Sequence, residues 1–256
     1  MQACRFATYF KAKLYVVHIG EKDQQKENKF KAIVHEFCFL GDVVYLFKEG
    51  NPIKVLSSIC DENQIDLLIL GAVKRENLMK HYLGSVARKL TKKVNCSVLL
   101  LINQSQKEIF KKHIVVNGLE SDRSHNTIST AFYVAQSLSS KKITIVEEIK
   151  NNEVKIDDDR SLRRAAINHE RKTHQENLRV KKILNVLPVE FKNNIEIKLQ
   201  GIFGKSSYSI GHYARVVRSD LLIMDTPKHQ SFIKKIVAND LSFILSELPT
   251  DVLIIK

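Results

Sequence analysis

The sequence predicts an α/β protein of two tandem domains, each a parallel sheet flanked by helices. Three observations lead there. The chain contains a diverged copy of itself, short β-branched runs alternate with helical segments, and several strands are apolar along their whole length.

The duplication is read by sliding the chain over itself. Displaced by 154 positions, Asp66-Leu67-Leu68-Ile69-Leu70 falls on Asp220-Leu221-Leu222-Ile223-Met224, and Val98–Leu101 falls on Val252–Ile255. Gly50 meets Gly204, Lys74 meets Lys228 and Lys80 meets Lys234 in the same register. A different displacement lays Leu14–Val17 on Ile143–Val146, and Ala3–Ala7 resembles Ala131–Ala135.

In the second copy, residues 113–119, 142–149, 194–201, 220–225 and 251–256 predict five strands. Helical periodicity fills the intervals. Thr127–Leu138 gathers Ile128, Ala131, Val134, Ala135 and Leu138 on one face, and residues 157–187 predict a long, highly charged helix. Residues 210–217 and 232–245 complete the set. Strands that alternate with helices run parallel through right-handed crossovers. Apolar runs such as LLIL and VLLLI suit a sheet covered on both faces.

The first copy predicts only four strands, at 14–20, 43–50, 65–71 and 97–103. Met1 aligns near Ser129, so the strand corresponding to residues 113–119 has no counterpart. The domains are therefore 1–103, truncated, and 113–256, complete, joined by a short polar linker at 104–112.

Composition bounds the function. The 256 residues are 44% hydrophobic and 27% charged, a globular balance, and no apolar run is long enough to cross a bilayer. The first residues carry Arg5, Lys11 and Lys13 in place of an apolar signal core, which predicts a cytoplasmic protein. Cys4, Cys38, Cys60 and Cys96 are dispersed, as reduced and mostly buried thiols are; a redox switch or metal site is the rarer outcome of such spacing. The net charge of +13 invites a nucleic-acid partner. Yet residues 1–103 carry 16 Lys and Arg against 10 Asp and Glu, and residues 104–256 carry 25 against 18. An excess spread so evenly, with no tryptophan and no aromatic platform, reads as a solvated basic surface rather than a nucleic-acid site.

One turn carries a motif. Gly71-Ala72-Val73-Lys74 follows the strand IDLLILG, and Gly84-Ser85 precedes a helix and the strand SVLLL. With its flanks LGSVARKL and NCSVLLL, this resembles the universal stress proteins, whose signature is glycine, two residues, glycine, nine residues, then glycine with serine or threonine. The resemblance extends over the whole chain as one truncated and one complete repeat of an adenine nucleotide alpha hydrolase-like fold. It implies strand order 3-2-1-4-5, with the absent first strand at the centre of the first repeat. That sheet should then be split, collapsed or filled by another segment, and the chain should be an N-terminally shortened version of a longer protein.

The resemblance also implies ATP binding. Glycines admit backbone N–H groups close to an anion, and a helix N-terminus adds positive potential. Carried over, Gly71, Gly84, Ser85 and the N–H of Val86 would hold phosphate and ribose, and Val17 would touch adenine. Lys74 stands where the second glycine belongs, either as a counter-charge to phosphate or at the expense of the loop geometry. The second repeat has Asp225, Lys228, Ala238 and Asn239 at the motif positions and Asn117 in place of the adenine-holding Asp. A carboxylate at Asp225 would repel phosphate, so ATP is confined to the first repeat. The plain alternative in both repeats is a turn that only joins strand to helix.

Catalytic patterns do not emerge. Nine histidines form no H-x-x-x-H or H-E-x-x-H array, and neither a P-loop nor a G-x-S-x-G elbow occurs. His169 and His174 lie on the charged helix, facing solvent, and Asp157-Asp158-Asp159 resembles a charge cap at its start. The expected function is a non-enzymatic stress-response or signalling module acting through an unknown protein partner. Tandem members resemble a fused dimer, which implies an intramolecular pseudo-dimer with Val98–Leu101 near Val252–Ile255, or a homodimer. The alternatives are the cytosolic regulatory portion of a longer protein, such as a cation–proton antiporter, and a weak ATPase.

Overall fold

A computed structural model describes residues 1–37, 41–74, 81–102, 111–148, 158–202, 209–226, 244–245 and 247–256. The chain divides into two compact units, Met1–Ile109 with Lys256 and Phe110–Ile255. The expected linker lies mostly outside the described residues.

The second unit contains the complete sheet. Its strands are β7 (His113–Asn117), β8 (Lys142–Glu148), β9 (Glu196–Ile202), β10 (Leu221–Asp225) and β11 (Asp251–Ile255). All pair in parallel, in the order β9-β8-β7-β10-β11, which is 3-2-1-4-5 counted within the unit. The continuous apolar runs are explained by burial on both faces. Ile114, Val115, Val116, Ile143, Ile145, Leu222, Ile223, Val252 and Ile254 are all fully buried.

Helix α5 (Ser124–Ser137) packs Ile128, Ala131, Phe132 and Ala135 against this sheet. It begins three residues before the periodicity suggests, because Ser124 Oγ donates to Ser121 O and closes an extra turn. Helix α6 (Asp159–Val186) starts with a capping box: Asp158 Oδ1 accepts from Ser161 N at 2.7 Å, and Ser161 Oγ accepts from Asp158 N at 3.1 Å. The acidic triplet thus supplies the cap, through its middle member. His169 and His174 are exposed on this helix. A short α7 (Val189–Lys192) and α8 (Ser209–Val216) complete the described helices, and most of the helix expected at 232–245 lies outside the described residues.

The first unit has the sheet that its missing strand predicts. β1 (Leu14–Ile19) pairs in parallel with β2 (Val43–Lys48), β3 (Leu67–Gly71) pairs in parallel with β6 (Ser97–Leu101), and no described pairing joins β1 to β3. The sheet is split. In the complete unit, β7 lies between β8 and β10, the counterparts of β1 and β3. The split shows in burial: Leu67–Leu70 are each partly exposed, whereas Leu221–Met224 are at most 2% exposed.

Helices α1 (Gln2–Tyr9) and α2 (Gln24–Glu36) bring Cys4, Ala7 and Val34 together with Leu14 in a small core. Helix α3 (Pro52–Glu62) is started by Asn51, whose side-chain oxygen accepts from Ile53 N and Lys54 N, with Pro52 at the first helical position.

Candidate functional site

The predicted motif residues of the first unit gather around the end of β3, with one exception. Gly71 is the last residue of that strand, paired with Leu101, and Ala72 N donates to Leu101 O at 2.8 Å to extend the ladder. The chain then forms a small antiparallel hairpin, β4 (Val73–Lys74) with β5 (His81–Tyr82), in which Lys74 is opposite His81. Lys74 is therefore in extended backbone rather than in the glycine curl of the motif. Nothing in the apolar or glycine spacing signals this hairpin.

From Tyr82 the chain returns through buried Leu83 to Gly84, which begins helix α4 (Ser85–Lys93). Gly84, Ser85 and Val86 are all exposed, and a Cβ built on Gly84 would meet nothing within 4 Å. Arg88 N donates to Gly84 O at 3.0 Å, closing the first turn. The N–H groups of Ser85, Val86 and Ala87 precede that bond, so helix geometry gives them no intrahelical acceptor. Such a turn offers backbone donors and a helix dipole to an anion.

Val17 is the exception. It lies in β1, paired with Leu46, and no described strand pairing joins β1 to β3, the strand that ends at Gly71. A hollow of about 300 Å³ beside α3, lined by residues including Lys48, Lys54 and Glu62, contains none of the predicted residues.

The matching end of the second unit's sheet is crossed by its own side chains. Open α/β sheets bind ligands beyond the carboxyl ends of the strands, where strand order reverses, here between β7 and β10. Asn117 Oδ1 accepts from Leu119 N at 3.1 Å, and Asp225 Oδ2 accepts from Ser121 Oγ at 2.8 Å. Arg123 donates to Thr226 Oγ1 at 3.1 Å. From α6, Arg179 donates to Glu147 Oε1 at 3.0 Å, to Glu176 Oε2 at 2.9 Å, to Ser124 Oγ at 3.3 Å and to the carbonyl of Gly118. Burial pushes the Glu147 carboxyl up to about 7; the Arg179 guanidinium draws it down, and Glu176 adds to the rise. Lys228, Ala238 and Asn239 lie outside the described residues. The Arg179 network was not legible in the sequence, since Arg179 is one cation among many on a charged helix.

Among the described residues, no group of His, Cys, Asp and Glu is placed to hold a metal ion. No described helix is long and apolar enough to cross a membrane.

Comparison with known proteins agrees with this architecture. Residues 40–101 match the model of the universal stress protein family. No curated protein matches the chain. A protein of unknown function from Pseudomonas aeruginosa PAO1 superposes on all of this chain and 86% of its own, with a TM-score of 0.67 at 14% identity. A universal stress protein from Archaeoglobus fulgidus DSM 4304 covers all of this chain and 90% of its own, with a TM-score of 0.63 at 11% identity. Likeness at such identity concerns the fold, and it spans both units. The motif turn of the first unit lies inside the segment that matches the universal stress protein family, and the 3-2-1-4-5 sheet of the second unit belongs to a chain that shares the fold of universal stress proteins across both units.

Proposed function

We propose that this protein is a non-enzymatic cytoplasmic stress-response or signalling module that acts through a protein partner and binds ATP in its first unit. The observation that carries the nucleotide reading is the turn itself. Gly71 ends a strand, Gly84 starts a helix, and the space over Gly84 is open to a ligand. Phosphate oxygens would accept from the N–H groups of Ser85 and Val86. The second unit takes no part in binding, since Asp225 would repel phosphate and Arg179 already occupies the comparable end of its sheet.

The absence of nucleophile elbows and metal-ligand arrays in the sequence supports regulation rather than turnover. Titration calorimetry with ATP tests the binding claim. The intact protein should bind, and Gly84→Asp, which puts a carboxylate where phosphate would lie, should abolish the heat. Unaltered affinity in that variant would remove the assignment.

A further inference from the structure

The first unit brings together two thiols that are far apart in sequence. Cys60 lies near the end of α3 and is 5% exposed; Cys96 lies between α4 and β6 and is partly exposed. The two thiols lie close enough for each to perturb the other. Bonds between other atoms hold the two segments in place. Asn95 Nδ2 donates to Asp61 Oδ1 at 3.2 Å, joining the residues beside the two cysteines, and Ser97 N donates to Asp66 O at 3.1 Å.

This arrangement divides the roles of the two sulfurs. Interaction with Cys60 lowers the Cys96 thiol to about 7 against the opposing effect of burial, and backbone N–H groups of Cys96 and Leu68 add to the lowering. The same interaction, together with burial, pushes Cys60 up, so that it keeps its proton. Thiolates are the reactive form, and redox-sensing cysteines are accessible, acidic and placed next to a resolving thiol.

We propose that Cys60 and Cys96 are a peroxide-sensing pair that closes to a reversible intramolecular disulfide, with hydroperoxides as the oxidant. The Cys96 thiolate attacks a peroxide oxygen, the O–O bond breaks, and the departing oxygen leaves as hydroxide or alkoxide and takes up a proton. Cys96 is then a sulfenic acid. The Cys60 sulfur attacks the Cys96 sulfur, the S–O bond breaks, and the released hydroxide takes the Cys60 proton to become water. The two sulfurs lose two electrons and the peroxide gains them; a reducing thiol reverses the bridge.

The bridge would enclose β3, the β4–β5 hairpin and α4, the segment that contains Gly71 and Gly84. Closing such a loop restricts the unfolded chain and so favours the folded unit. The pair does not depend on nucleotide binding, and the two readings stand or fall separately.

The test exposes the reduced full-length protein to hydrogen peroxide, blocks remaining thiols by alkylation, and maps the digest by mass spectrometry. The expected product is a Cys60–Cys96 peptide pair lighter by two hydrogens than its free components, lost on treatment with dithiothreitol. In Cys60→Ser, dimedone should trap a sulfenic acid on Cys96; in Cys96→Ser, Cys60 should be recovered unmodified. The wild-type map stands without either variant. The proposal is overturned by bridges made mainly to Cys4 or Cys38, by linkage between isotopically distinct chains, or by free Cys60 and Cys96 at a dose that oxidises Cys4.

Discussion

The Arg179 guanidinium reaches from α6 to the Glu147 carboxylate at 3.0 Å, where Glu147 has a side chain only 5% exposed and is the last residue but one of β8. The same guanidinium holds the Gly118 carbonyl and Ser124 Oγ, so one side chain ties the long helix to the ends of two strands and the start of α5. Removing a partner from a buried pair leaves a desolvated charge behind. Glu147 can escape part of that penalty by taking a proton, so Arg179→Met should cost about 1–3 kcal/mol, below the usual range for an uncompensated buried charge. Adding Glu147→Gln should recover part of the loss. Urea unfolding followed by circular dichroism measures both, and an unshifted midpoint in Arg179→Met would show that the network contributes nothing.

The raised Glu147 carboxyl makes stability depend on pH. Between the ordinary value of 4.5 and about 7, the folded protein retains a proton that the unfolded chain has released. The contribution of Glu147 is thus fully present below pH 4.5 and is lost as pH rises towards 7. Glu147→Gln removes this dependence, so it should gain on the wild type across that window, by at most roughly 3 kcal/mol. His113 works in the other direction. Burial holds its imidazole below the ordinary 6.5, and Lys142 lowers it further, so its contribution is lost as pH falls. That effect is common to both proteins and cancels in the difference. A difference in stability that stays flat with pH would contradict the assignment.

Gly118 is required where it stands. A Cβ there would lie 2.6 Å from Ile145 Cγ2 and 3.1 Å from the Val146 carbonyl oxygen, while Gly118 N donates to that same oxygen at 2.7 Å. Ile145 is fully buried and cannot retreat. Gly118→Ala should therefore destabilise by about 1–3 kcal/mol, the usual cost of overpacking. Gly84→Ala meets open space and should change stability by less than about 1 kcal/mol, with only a weaker helix cap against it. Equal losses of amide protection, read by hydrogen exchange in α4 for Gly84→Ala and in β7 and β8 for Gly118→Ala, would contradict the geometry.

Much of this fold was legible because the sequence could be compared with itself. The continuous apolar character of segments such as Leu221–Met224 marks strands buried on both faces, and the absent counterpart of His113–Asn117 predicted a first sheet that is split, collapsed or filled by another segment, of which the split is what the structure has. Other features left no periodic trace. The β4–β5 hairpin pairs two residues on each side, too short for alternation to register. The positions of Arg179 against Glu147 and of Cys60 against Cys96 depend on chain crossings between separate elements, which local patterns do not encode. Val17 was assigned from resemblance alone, and no described pairing joins its strand to β3.

The split makes a final, comparative prediction. Ile69 and Ile223 occupy the same position in the two repeats, in β3 and β10, yet Ile223 is fully buried while Ile69 is partly exposed. Truncating a fully buried isoleucine removes its transfer energy and leaves a cavity, at a cost of about 2–5 kcal/mol. At Ile69 water already reaches part of the side chain, so less apolar area is returned to solvent and the void opens outward. Ile69→Ala should cost about half as much as Ile223→Ala, or less. Hydrogen exchange of amides in β3 and β10 reads each unit separately, which global unfolding of a two-unit chain does not. Equal losses of protection would mean that the first unit is packed as tightly as the second despite its divided sheet, and would contradict the link drawn between the absent strand and the exposed core.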